Sequence, residues 1–90
     1  MYKVRYLSKV EKVLDNLSDD DFRRIDERIQ ALRVSPRGRG CKKLGEDIYR
    51  VRVGRFRIIY HVDDEQQLIR IGKVDRRRED TYKGIEDLFL

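Results

Sequence analysis

Apolar residues along the 90-residue chain follow two different periods, and the places where the period changes mark out its elements. Residues 2–6 (YKVRY) alternate large apolar with basic side chains, which predicts a short strand. In SKVEKVLDNL, Val10, Val13, Leu14 and Leu17 recur at helical spacing, which predicts a helix with Ser8 as its N-cap. In SDDDFRRIDERIQALRVS, Phe22, Ile25, Ile29 and Leu32 keep the same period. Ser18 is placed to cap a first turn whose three aspartates suit the positive end of the helix dipole. Little chain separates the two helices, so they should form an antiparallel hairpin. Pro36, Gly38 and Gly40 then break regularity in SPRGRGCKKLGED, which reads as a basic loop. Period two returns in residues 49–53 and 56–62. They are joined by Gly54-Arg55, and glycine at the first position of a two-residue loop suits a type II′ turn. A polar loop, 63–67, leads to a third strand at 68–74. EDTYKGIEDLFL finally places Tyr82, Ile85, Leu88 and Phe89 at helical spacing, although Gly84 weakens the pattern.

The expected fold is α+β, a single domain over residues 1–90. An N-terminal strand and an antiparallel helical hairpin pack on a mainly antiparallel sheet, β-α-α-β-β-β, followed by a short C-terminal helix. A chain of this length has room for one modest core.

The turn at Gly54-Arg55 fixes which residues face each other. The pairs are Val53 with Phe56, Arg52 with Arg57, Val51 with Ile58, Arg50 with Ile59 and Tyr49 with Tyr60. One face is then apolar (Tyr49, Val51, Val53, Phe56, Ile58, Tyr60) and suits the helices; the other carries Arg50, Arg52, Arg57, Ile59 and His61. With Val62 set opposite Leu68, Lys73 falls beside Arg57 and Ile71 beside Ile59, which makes a row of Arg52, Arg57 and Lys73 across three strands. Like charges opposed on a sheet are destabilising, so such a row calls for an anion to lie across it.

Composition localises the charge. Lys and Arg number 22 against 17 Asp and Glu, a net +5, but between Arg23 and Arg57 ten arginines and two lysines meet only four acidic residues. A basic centre favours phosphate-bearing partners. The candidate phosphate contacts are Arg37, Arg39, Lys42 and Lys43 in the basic loop, Arg55 at the turn, Lys73 on the third strand, and Arg77 and Arg78 in DRRRED. One cysteine, Cys41, leaves no internal disulfide and fits a reducing cytoplasm, and with a single histidine no soft metal site is expected. No apolar run reaches the length of a membrane span, so no membrane partner is expected.

The opening strand and helical hairpin, SPRGRGCKKLGED, IYRVRVGRFRIIYHV and KVDRRREDTY together resemble the RelE-type toxins of bacterial and archaeal toxin–antitoxin pairs. The middle segment fits the wider superfamily, including ParE-type gyrase poisons. An arginine followed six residues later by a tyrosine, as Arg76 and Tyr82 are here, marks the RNA-cleaving branch. The resemblance implies an endoribonuclease that cuts mRNA in the decoding site of the ribosome, without metal or other cofactor, leaving a 2′,3′-cyclic phosphate. It implies catalytic roles for Arg50, Arg52, Arg57, Arg76 and Tyr82, and a RelB-type antitoxin as partner.

Guanidinium groups suit that chemistry because they give fixed bidentate donors for phosphate oxygens. Where well-known members carry lysines, however, this chain has Arg50 and Arg52, and arginine is a poor proton acceptor. Three alternatives stay open: a base elsewhere (Tyr82, His61 or water), catalysis by positioning and charge alone, or a weak or inactive nuclease that keeps the fold. A gyrase poison of the ParE type and a non-catalytic RNA- or ribosome-binding module are the competing functions.

Overall fold

A computed structural model of the chain describes residues 1–76 and 84–90. Strand β1 (Lys3–Tyr6) leads into helices α1 (Ser8–Asp15) and α2 (Asp19–Leu32). Strands β2 (Lys42–Gly45), β3 (Ile48–Val53), β4 (Phe56–Asp63) and β5 (Leu68–Asp75) follow, and a 3-10 turn, Ile85–Phe89, closes the chain. The sheet order is β1-β5-β4-β3-β2, antiparallel throughout except for the parallel pairing of β1 with β5. This is the expected α+β architecture with one strand more than foreseen.

Local chemistry accounts for the helices. Ser18 Oγ accepts from the Asp21 amide at 3.2 Å, the expected cap of α2. Ser8, in contrast, is the first helical residue of α1; Leu7 holds the cap position and makes no side-chain cap hydrogen bond. Val10, Ile25, Ile29 and Leu32 bury against Tyr49, Val51, Phe56, Ile58 and Tyr60, so the helices cover the face that alternation assigned to them. Phe22, in the first turn of α2, stays 44% exposed and takes no part in this core.

The β3–β4 register is the one set by the turn, from Val53 opposite Phe56 to Tyr49 opposite Tyr60. Gly54 has φ +57° and Arg55 is not left-handed, as a type II′ turn requires. Two expectations fail next to this hairpin. Residues 42–45 are not loop but an edge strand, with Lys42 opposite Arg50 and Lys43 opposite Tyr49. The β4–β5 register also differs: Val62 faces Ile69, and a bulge shifts the pairing so that Ile59 faces Lys73 and Arg57 faces Asp75.

Gly72 is the extra residue of that bulge, between Ile71 opposite Tyr60 and Lys73 opposite Ile59. Ile71 therefore joins the helix-covered core instead of lying beside Ile59. Ile59 itself packs with Ile48 under Ile85, Leu88, Phe89 and Leu44, a second small core on the opposite face. The expected terminal helix is thus a single 3-10 turn among the described residues, and its first part, including Tyr82, lies outside them.

Candidate nucleic-acid interface

The face away from the helices has two unlike ends. Along β4 its residues are Arg57, Ile59 and His61 in order. The terminal turn covers the middle, over Ile59. Beyond it, Arg70 Nη2 lies 3.3 Å from His61 Nδ1 and the Phe89 ring centre lies 5.6 Å from that of His61. Burial first, and then the Arg70 charge, push the His61 pKa below its ordinary value. Phe89 approaches β5 so closely that a Cβ on Gly72 would stand 2.6 Å from two of its ring carbons.

The end near the β3–β4 turn is cationic. Arg52 is exposed and stands opposite Arg57 on the neighbouring strand. Lys42, Arg50, Ile59 and Lys73 form a second row, two residues further along, across four strands. Arg50 is half-buried and its Nε has no hydrogen-bond partner among the described residues. Arg55 is exposed at the turn, and Arg76 is exposed just past β5, where its guanidinium carbon lies 5.0 Å from the centre of the ring of Phe56, a residue of the helix-covered side.

Arg57 departs from the sequence expectation. It is 1% exposed and forms a two-pronged pair with Asp75, Nε to Oδ1 at 2.7 Å and Nη2 to Oδ2 at 3.3 Å. Lys73 Nζ approaches the same carboxylate at 3.7 Å. The expected row of Arg52, Arg57 and Lys73 is therefore replaced by Arg52, Arg57 and Asp75, with Lys73 shifted beside Ile59 by the bulge. Asp75 was the residue missed. The signal that could have found it is Gly72, because a glycine inside a strand pattern marks a bulge and a bulge changes what lies opposite.

The basic loop contributes little to this cluster. Arg37 donates to both oxygens of Asp64, at 3.1 and 2.9 Å, and to the Tyr49 hydroxyl at 2.9 Å, and it stacks over the Tyr49 ring. Its hydrogen bonds hold Asp64 below the usual carboxylate range. Asp64 follows the far end of β4, so Arg37 sits roughly 20 Å along the strand from Arg57 at about 3.3 Å per residue. Arg39 is exposed on the α2 side, its carbonyl accepting from Arg28 at 2.9 Å, and Lys43 pairs with Tyr49 on the helix-side register. Arg77, Arg78 and Tyr82 lie outside the described residues.

Chemically, the cluster can bind and stabilise an anion. Arg52 and Lys73 supply donors beside a fixed buried charge at Arg57, and exposed Arg76 adds another at the strand end. No helix among the described residues is long and apolar enough to cross a membrane.

Known proteins carry the same framework. A protein named "Putative toxin RelE1" from Methanocaldococcus jannaschii is 32% identical over 88 residues, covering 92% of this chain and 97% of its own. The RelE–RelB complex of Pyrococcus horikoshii OT3 contains a chain 30% identical with a TM-score of 0.75, covering 87% of this chain and 97% of that one. The isolated E. coli RelE toxin shares the fold at 20% identity, with a TM-score of 0.78 over the whole of both chains. Residues 2–81 match the family described as ParE toxin of type II toxin–antitoxin system, parDE, and the chain belongs to this ParE/RelE toxin family.

Proposed function

We propose that this toxin-family chain is a metal-independent endoribonuclease that cuts mRNA in the ribosomal decoding site, where a ribose 2′-hydroxyl attacks the adjacent phosphate to give a 2′,3′-cyclic phosphate. The observation that carries the reading is the cationic end of the sheet face opposite the helices, where Arg52 and Lys73 flank the Arg57–Asp75 pair and exposed Arg76 follows Asp75 at the strand end. The ribosome enters through the likeness to RelE proteins, and a RelB-type antitoxin through relatives solved as RelE–RelB complexes. A cytoplasmic location follows from those partners.

In this mechanism the exposed arginines bind the phosphate and neutralise charge that builds up on the pentavalent phosphorane, and the ribosome holds the nucleotide splayed for in-line attack. Tyr82 is the proposed base-stacking group, as the Arg76-to-Tyr82 spacing implies. Primer extension on ribosome-bound mRNA tests the reading. Arg52→Ala and Arg76→Ala should each cut about 10²-fold more slowly, the typical loss for one transition-state donor. Wild-type cleavage of a 2′-deoxy target nucleotide would sink the mechanism.

The family description names ParE, which supports a second reading as a topoisomerase poison. Inhibition of gyrase supercoiling that survives Arg76→Ala and Tyr82→Ala would select it.

A further inference from the structure

A carboxylate in the middle of a phosphate-binding face weakens the field that attracts the phosphate. Asp75 sits there, accepting from Arg57 and standing 3.7 Å from Lys73. Its neighbour Arg76 lies over Phe56, the residue preceding Arg57 on β4. Two consecutive residues of β4 thus hold two consecutive residues where β5 ends, one from each side of the sheet: Phe56, on the helix-covered side, holds Arg76 by its ring, and Arg57, on the other, holds Asp75 by its guanidinium. The bulge at Gly72 brings about this match, since without it the residue opposite Arg57 would not be the carboxylate.

We propose that Asp75 is a positioning residue: anchored by buried Arg57, it fixes the end of β5 so that Arg76 and Lys73 meet the phosphate at set positions. The proposal rests on the reading of this face as the RNA site. It also revises Arg57, which at 1% exposure serves as an anchor and a fixed charge beneath the surface. Positioning and simple charge effects make opposite predictions. If Asp75 did no more than dilute the positive field, its removal would tighten RNA binding and speed cleavage. If it positions Arg76, its removal lowers kcat while KM stays level or falls.

A double-mutant cycle decides the matter. Removing one partner of a buried pair endangers the fold, whereas replacing both with apolar residues is often neutral, so the background is Arg57→Met/Asp75→Leu, checked by its melting transition. Arg76→Ala should cost about 10²-fold in kcat in the wild-type chain, and only a few-fold in that background. Equal losses in the two backgrounds overturn the proposal. Asp75→Glu, which keeps the charge, should recover part of the rate that Asp75→Asn loses, and recovery no better than Asp75→Asn also counts against it. Loss of the acidic limb of the pH–rate profile in Asp75→Asn would overturn it in favour of Asp75 as a general base. Wild type failing to cut at all defeats the nuclease reading, not this one, because the same cycle is then read in the affinity for a single-stranded RNA oligonucleotide. There, coupling between Arg76 and the pair supports positioning, and additivity refutes it.

Discussion

Arg57 combines near-complete burial with a full charge, which its pair with Asp75 helps to offset. Nε and Nη2 both reach Asp75, whose side chain is 18% exposed. Arg57→Ala would leave that carboxylate without its anchor and should destabilise the chain by about 3–5 kcal/mol, while Arg57→Met/Asp75→Leu should come close to wild type. Urea denaturation of the two variants checks this, and equal losses would mean the pair is not what the site depends on. Arg57→Ala is accordingly a poor probe of catalysis, because it mixes loss of fold with loss of rate. Exposed Arg52 and Arg76 give cleaner readings.

The terminal turn is an element held by few residues, and each of them is a lever. Gly72 gives room for the Phe89 ring, so Gly72→Ala must push the ring off β5, at a cost of about 1–3 kcal/mol for an overpacked contact. Faster amide exchange across Ile85–Phe89 should report it, and Phe89→Ala should remove the penalty. The other lever is His61. It packs on Phe89 beside Arg70, whose Nη1 also donates to the Phe89 carbonyl at 3.3 Å. Asp47 and Asp63 act on His61 in the opposite sense to Arg70, and Glu46 and Glu86 line the same recess. Its pKa in the fold is lowered, so the unfolded chain takes up a proton first as pH falls. The stabilisation is whole above the unfolded value of about 6.5 and is lost as pH drops through the lower folded value. Urea midpoints at pH 7.5 and 5 should therefore differ, and His61→Phe should flatten the part of that slope nearest neutrality. An unchanged slope would assign it elsewhere.

Viewed as one molecule, the protein separates its cations by position. Arg37, at the far end of the sheet, ties the loop after α2 to the β4–β5 turn through Asp64 and to β3 by donating directly to the Tyr49 hydroxyl. The Tyr60 hydroxyl, buried and with its pKa raised mainly by that burial, donates to the Pro36 carbonyl at 2.6 Å and secures the same loop. Arg52, Lys73 and Arg76 stand at the other end. Each phosphate contact to a single strand contributes about 0.7 to the slope of log affinity against log salt. Arg52→Ala should lower the measured slope by about that much, and Arg37→Ala should leave the slope alone while lowering the melting temperature. The reverse pattern would move the RNA site to the loop.

Short-range patterns carried much of this fold. Alternation and the three-to-four spacing placed four strands and two helices, and Gly54 set the β3–β4 register because a two-residue turn leaves the backbone almost no freedom. The basic face could be read for the same reason: once a register is known, side-chain direction follows from period two. What lies across a longer loop did not follow. The β4–β5 register depends on a bulge that packing against Phe89 and the helices selects, and the pairing of Lys42 with Arg50 depends on β3 offering an open edge. The sequence thus specified that the face would be cationic. Only the folded chain decided that Asp75 would stand among those cations, because its place is set by contacts between residues 18 positions apart.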